Sequence, residues 1–334
     1  FDGDIFFKQY YYQSGINQTM RTALKDIVTH AMKIVDPCDG DVVCDIASND
    51  GTLLKFYPPN LTKIGFEPAT NLCTKENYPD ARVINAYFSD NWGLPKAKII
   101  TAIAMLYSVN EINLFVNSVK NMLHREGVFI VQLNWLGDIL GNNDVGDFTH
   151  EHCCFYSVRC LKILLRRCEL EIFRIEHNDI NGGSIRCYIK HANCDHYVVG
   201  PEVELYDIIE KDYDKIETFE DFKTSVDWVG AELYSFIRAH GPVWALGAST
   251  RGNTMLQTFG IDSTLVTAVA DRNPDKFGTK MVGTDIPVVS EEEWRKAGPP
   301  YTIILPYYFQ KEIMEREKDY KGKWIIPLPE FHII

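Results

Sequence analysis

The chain has 334 residues, 46% of them hydrophobic and 24% charged, with a formal net charge of −12. That balance excludes a disordered chain and leaves room for two domains of ordinary size. The acidic charge excludes a general binder of nucleic acid or anionic membrane, because such proteins need Lys and Arg to replace released counterions. No run approaches the roughly 18 uncharged apolar residues of a membrane span. The nine cysteines include no Cys-x-x-Cys pair and are scattered through apolar segments, so reduced thiols in the cytoplasm are expected. The chain starts at Phe1 with no basic stretch leading an apolar run, and is expected to be part of a longer or processed polypeptide.

Apolar residues recur at helical spacing from Ile16 to Val35, predicting an amphipathic helix. An alternation follows: strand Asp41–Ile46, helix start Ser48–Leu54, strand Lys63–Phe66, helix Thr70–Asn77, strand Arg82–Ile84, strand Lys98–Ala104, helix Ile112–Leu123 and strand Gly127–Leu133. Strands alternating with helices imply a parallel sheet covered on both faces. Gly137–Gly146 reads as a loop, Ser157–Cys168 as a helix, and Leu170–His177 and Ser184–His191 as two more strands. Glu202–Ala239 is charged and periodic, as expected of helices joining two lobes. A second alternation begins at Val243–Gly247 and runs through helix Thr250–Phe259, strand Leu265–Ala270, strand Tyr301–Leu305, helix Gln310–Lys318 and strand Lys323–Ile326. The fold class is thus α/β, with two doubly wound units expected at 1–200 and 201–334.

Three clusters carry chemistry. The first strand ends in Asp45 and runs through Ala47, Ser48, Asn49, Asp50 and Gly51 into a helix start; the second strand ends in Glu67-Pro68. Small residues let a backbone approach a nucleotide-like cofactor, and a carboxylate at the next strand tip accepts hydrogen bonds from ribose hydroxyls. NAD and S-adenosylmethionine share this geometry, and the lack of G-x-G-x-x-G leans against NAD; a solvated strand-end carboxylate is the bland alternative. The second cluster is Phe148-Thr149-His150-Glu151-His152-Cys153-Cys154. It reads as helix capping, as a metal site whose spacing matches no usual zinc pattern, or as a general base beside a carboxylate. The third is Gly247-Ala248-Ser249-Thr250-Arg251 with Asp271-Arg272 after the next strand, either an anion cradle or a solvated loop with helix caps.

Asp45–Leu54 resembles the "E-I-G-S-N-D-G-x-L-L" motif of the S-adenosylmethionine-dependent nucleotide-sugar C-methyltransferases of the keto-sugar C-3 type, and Gly65–Ala69 their "G-I-E-P-A". Thr149–Ser157 resembles "Y-H-E-H-x-x-Y-F-S", Asn181–Tyr188 resembles "H-G-G-S-x-R-x-Y", and Tyr10–Gly15 resembles "Y-P-Y-x-S-S". Gly247–Thr254 and Val269–Gly278 resemble "G-A-x-x-K-G-x-T-L-L" and "V-D-R-N-P-x-K-x-G". The resemblance runs from Tyr10 to Pro329 and lacks the amino-terminal cysteine-rich zinc module of many members. It implies a class I, Rossmann-like methyltransferase domain followed by a smaller Rossmann-like one.

By that resemblance S-adenosylmethionine is the cofactor, held by Asp45, Ala47, Asn49, Gly51, Glu67 and Pro68. His152 is the base that removes the proton beside a sugar ketone, with Glu151 polarising the substrate and Tyr12 reaching the site. A nucleotide-linked sugar is expected to meet Thr149, His150, Asn181, Gly183 and Arg186, and Ser249, Arg251, Asp271 and Arg272 of the second domain. No metal is expected. Three departures stand out: Ala47 for Gly, tolerable where φ is negative; Thr149 for Tyr, which bears on the substrate; and Arg251 for Lys, which shifts geometry toward bidentate phosphate contact. The rivals are a sugar O-methyltransferase, a non-catalytic nucleotide-sugar binding module and an NAD-dependent sugar oxidoreductase.

Overall fold

The structure, a computed structural model, describes residues 2–334. It divides into two units: one runs to Trp135 and resumes over Cys153–Lys211, and the other comprises Leu136–His152 and Asp212–Ile334. The boundary expected at residue 200 therefore falls at 211/212, and a 136–152 excursion within the first half belongs to the second unit.

The first unit opens with α1 (Gly3–Phe7) and α2 (Gln18–Val35). Asn17 caps α2 by accepting the Thr19 N–H at 2.8 Å, and Asp36 ends it in the left-handed region, at φ 46°. Its apolar stripe, Leu24, Ile27, Val28, Ala31 and Val35, is buried. Next come β1 (Val42–Ile46), α3 (Thr52–Lys55), β2 (Thr62–Phe66), β3 (Arg82–Ile84), β4 (Ala97–Ile103), α4 (Ile112–Met122) and β5 (Leu123–Asn134). The chain then leaves for the second unit, where α5 (Leu136–Gly141) lies, and returns as α6 (Val158–Arg167), β6 (Leu170–Asn178), β7 (Ser184–His191) and α7 (Glu202–Ile209).

The seven strands are ordered β3-β2-β1-β4-β5-β7-β6, and β7 runs antiparallel to both its neighbours. β1 is buried along its whole length, as a central parallel strand covered on both faces must be. Strand order reverses between β1 and β4, so the crevice for a ligand lies beyond their carboxyl ends. Leu24, Ile27 and Val28 of α2 share one buried cluster with Val43, Leu54, Ile99, Val128 and Ile130.

The second unit adds α8 (Ile216–His240), β8 (Val243–Leu246), α9 (Thr250–Thr258), β9 (Val266–Asp271), β10 (Val288–Ser290), α10 (Glu291–Ala297), β11 (Tyr301–Ile304), α11 (Gln310–Arg316), β12 (Lys323–Ile326) and β13 (His332–Ile333). Its six strands are ordered β10-β9-β8-β11-β12-β13, all parallel except the terminal β13. No helix among the described residues is long and apolar enough to cross a membrane.

Two element expectations are corrected. Thr70–Asn77 forms turns rather than a helix: Thr74 Oγ1 accepts the Asn77 N–H at 3.2 Å and Asn77 Nδ2 donates to Leu72 O at 2.8 Å, so side chains take the bonds a helix would have made. Gly137–Gly146, expected as a loop, holds all of α5 but its first residue and the start of a 3-10 turn at Val145–Asp147. β10 and α10 were not anticipated; α10 is set by a capping box of Ser290 with Glu293.

Candidate active site

The turn after β1 takes the left-handed conformation three times, at Ala47 (φ 55°), Asn49 (φ 53°) and Gly51 (φ 69°). Ala47 departs from the expectation of negative φ, so its methyl group is strained where glycine would be at ease. Glu67, just past β2, clasps this turn. Its Oε2 accepts the Asn49 N–H at 2.7 Å, and its Oε1 accepts the Ala69 N–H at 2.8 Å. Asn85 Nδ2 secures the same corner by donating to the carbonyls of Glu67 (2.9 Å) and Pro68 (3.0 Å). From the other side Tyr78 donates its hydroxyl to Asn49 O at 2.6 Å and lies 2.8 Å from Ser48 Oγ.

The aromatic segment before α2 is laid over this turn by its main chain. Asn49 Nδ2 donates to Tyr12 O at 3.0 Å, Ser14 N–H donates to Asn49 Oδ1 at 2.9 Å, and Gly15 N–H donates to Asp50 Oδ2 at 2.8 Å. A Cβ on Gly15 would lie 2.6 Å from Thr52 Oγ1, so only glycine permits the approach. Tyr12 thus stands beside the turn after β1, half exposed.

Asp45 is buried inside β1, where Thr101 donates its hydroxyl to Oδ1 at 2.5 Å. Burial pushes the Asp45 carboxyl up to about 7, against the Thr101 hydrogen bond and reinforced by the Glu67 charge. Burial likewise pushes Glu67 up to about 7, against its two main-chain donors, with the Asp50 charge adding to the rise. Neither acid forms an ion pair with a described residue.

Asn181 and Gly183 lie in the turn between β6 and β7, both at positive φ (57° and 123°). Asn134 Nδ2 at the end of β5 donates to Asn181 O at 3.3 Å, so this turn stands at the same carboxyl edge as Glu67. Arg186 is corrected. Its guanidinium, 4% exposed, donates Nε to Gln132 Oε1 at 2.9 Å and Nη1 to Glu176 Oε2 at 3.1 Å, and its Nη2 pairs with Asp26 Oδ2 at 3.0 Å. Those protein partners absorb the fork that the sequence assigned to substrate.

The Thr149–His152 motif belongs to the second unit. Val145 is buried in that unit's core, Asn143 Nδ2 donates to Pro329 O at 2.9 Å, and Phe148 packs against Phe222 with ring centroids 5.8 Å apart. His152 is 12% exposed, and its Nδ1 lies 2.8 Å from Asp147 O. A carbonyl only accepts, so neutral His152 carries its proton on Nδ1 and its lone pair on Nε2. Asp147 Oδ1 stands 3.5 Å from the same nitrogen. His150 is largely exposed, 3.8 Å from Glu151 Oε2. Thr149 Oγ1 and Glu151 Oε2 are buried without a hydrogen-bond partner among the described residues, the mark of groups awaiting a polar ligand or water.

Arg251, expected at a phosphate, is largely covered within the second unit and paired with its carboxylates instead. Its Nη2 pairs with Asp144 Oδ2 and, at 3.3 Å, with Asp147 Oδ1, and its guanidinium lies 5.1 Å from the Tyr308 ring centroid. Ser249 is likewise spent on a cap, its hydroxyl accepting the Gly252 N–H at 3.1 Å. Asp271 accepts N–H groups from Ala248 and Asn273, each at 2.8 Å, and pairs with Lys276 Nζ at 3.1 Å. Arg272 is exposed and forms no ion pair among the described residues. No described group of three or more His, Cys, Asp or Glu is arranged to hold a metal ion.

Sequence reasoning missed Tyr78, Asn85 and Thr101, which carry no motif of their own. It also missed Asp144 and Asp147, whose only signal was proximity to His152.

Residues 179–329 match the family model described as the C-methyltransferase C-terminal domain. The chain is 27% identical over 332 residues to C-methyltransferase NovU of Streptomyces niveus, a match covering 92% of this chain and 79% of that protein. Solved structures that align with about half of it include the following two. An S-adenosylmethionine-dependent methyltransferase from Clostridium acetobutylicum is 16% identical over 51% of this chain and 91% of its own, with a TM-score of 0.41. Magnesium protoporphyrin IX methyltransferase from Synechocystis, with bound S-adenosylhomocysteine, is 11% identical over 52% and 87%, also with a TM-score of 0.41.

Proposed function

We propose that this S-adenosylmethionine-dependent methyltransferase acts as a C-methyltransferase, methylating a nucleotide-linked keto-sugar on the carbon beside the ketone, with His152 as base. The observation that carries this reading is the His152 tautomer: Nδ1–H held on Asp147 O at 2.8 Å puts the lone pair on Nε2, where a proton is to be taken.

The residues of the first unit fit the cofactor. Glu67 uses one lone pair of each oxygen on main-chain donors and keeps a second on each for ribose hydroxyls. Two buried carboxyls pushed up to about 7 without a cation beside them suit a positively charged ligand. When bound, S-adenosylmethionine supplies an electrophilic methyl group on a sulfonium.

The acceptor carbon is a poor nucleophile until it is deprotonated. His152 Nε2 takes its proton, the C–H electron pair passes into the enolate, and the charge settles on the ketone oxygen. Thr149 Oγ1, buried without a partner, suits the role of donor to that oxygen. Glu151 orients the sugar hydroxyls, and His150 and Arg272 meet the polar end of the substrate. After methyl transfer the imidazolium returns its proton to solvent.

The test is methyl transfer from carbon-13-methyl S-adenosylmethionine to a nucleoside diphosphate-linked keto-sugar, read by NMR. A methyl signal in the aliphatic carbon region supports the reading; one in the methoxy region makes the chain an O-methyltransferase.

A further inference from the structure

Arg251 lies 99 positions from His152 in the chain, yet a continuous polar path links them within the second unit. One terminal nitrogen of Arg251 meets two buried carboxylates, Asp144 and Asp147, which bracket a tight turn. Inside that turn the Asp147 N–H donates to Asp144 O at 3.2 Å. The Asp147 carbonyl then accepts both the Thr149 N–H, at 2.9 Å, and His152 Nδ1–H, at 2.8 Å. The backbones are pressed together at the same point: a Cβ on Gly146 would lie 2.8 Å from Arg251 O. Two carboxylates this deeply buried would repel one another and spread the turn without a cation between them.

We propose that Arg251 is a positioning residue for His152: by drawing Asp144 and Asp147 onto α9 it fixes the carbonyl that holds His152 Nδ1–H, and so keeps the lone pair on Nε2. This rests on the reading of His152 as the base. It gives a use to an arginine that the sequence assigned to phosphate. The Tyr308 ring, its centroid 5.1 Å from the guanidinium carbon, lies beside the same cation. The Asp147 carbonyl and the Asp147 carboxylate both face His152 Nδ1, and the carboxylate is shared with Arg251.

The experiment uses the full chain, nitrogen-15-labelled, with long-range proton–nitrogen spectra of the histidine rings. His152 is assigned by its loss in His152→Ala. The wild-type ring shows the Nδ1–H tautomer. Arg251→Met gives a mixed tautomer, and Arg251→Lys, which keeps a cation between the carboxylates, restores it. In parallel, release of S-adenosylhomocysteine is followed with a nucleoside diphosphate-linked keto-sugar as acceptor. Arg251→Met lowers kcat about 100-fold, the scale of a misplaced catalytic group, while affinity for S-adenosylhomocysteine stays as in wild type.

An unchanged His152 tautomer in folded Arg251→Met overturns the proposal, and so does a parallel loss of S-adenosylhomocysteine binding. If Arg251→Met does not fold, Asp147→Asn loosens the bridge from its other end and is judged by the same two outcomes. Undiminished turnover in His152→Ala would instead remove the base reading, with the ring spectra still deciding the positioning claim.

Discussion

Glu67 accepts the main-chain N–H of Asn49 at 2.7 Å, tying the tip of β2 to the turn that follows β1. The second unit repeats the bridge, with Asp271 accepting the Ala248 N–H at 2.8 Å between β9 and the turn after β8. The two differ in what neutralises the acid. Lys276 stands 3.1 Å from Asp271, whereas Glu67 has main-chain donors alone and is pushed up to about 7 by burial. The Asp271 corner is therefore neutralised by its own lysine, and the Glu67 corner has no such cation among the described residues.

Glu67→Ala is expected to weaken S-adenosylhomocysteine binding by about 1–3 kcal/mol, the worth of hydrogen bonds to a charged acceptor. Calorimetric titration measures it. Unchanged affinity removes Glu67 from the cofactor site.

The buried pair Asp45 and Glu67 also sets a pH dependence. Both carboxyls are raised to about 7, so between about pH 4 and pH 7 the unfolded chain is ionised at these groups while the folded protein holds them protonated. Their contribution to stability is thus fullest at acid pH, falls as pH rises through that window, and is level above it. A sulfonium ligand favours the ionised forms, so S-adenosylmethionine binding at pH 7 releases protons, and neutral S-adenosylhomocysteine releases fewer. Titrations in buffers of different ionisation enthalpy read the difference directly. Equal heats in all buffers at pH 7 would contradict it.

Ala47→Gly relieves a left-handed alanine at φ 55° and is expected to stabilise the protein by about 1 kcal/mol, after the entropy glycine adds to the unfolded chain. Thermal unfolding shows this as a raised Tm. A lowered Tm would mean that the Ala47 methyl packs usefully enough to outweigh its backbone strain.

All strands but β10 and β13, their order of appearance and the acids at the tips of β1 and β2 were legible because each is a local pattern: an apolar run, a small-residue turn, a carboxylate. Local patterns also misled at Arg186 and Arg251. A cation within a motif looks the same whether its partners are phosphate oxygens or the carboxylates of Asp26, Glu176, Asp144 and Asp147, which lie at very different distances along the chain. The assignment of residues 136–152 to the second unit was hidden for the same reason. It depends on Val145, Asn143 and Phe148 meeting residues at 222 and beyond. At Thr70–Asn77 propensity was overruled by side-chain hydrogen bonds that no periodicity displays.

Proton abstraction by His152 beside a ketone is tested most directly without methyl transfer. The protein is incubated in deuterium oxide with S-adenosylhomocysteine and a nucleoside diphosphate-linked keto-sugar, and exchange at the carbon beside the ketone is followed by proton NMR. The wild-type chain is expected to exchange that hydrogen, and His152→Ala to lose the exchange while binding S-adenosylhomocysteine as before. Exchange that persists undiminished in His152→Ala would contradict the assignment of the base.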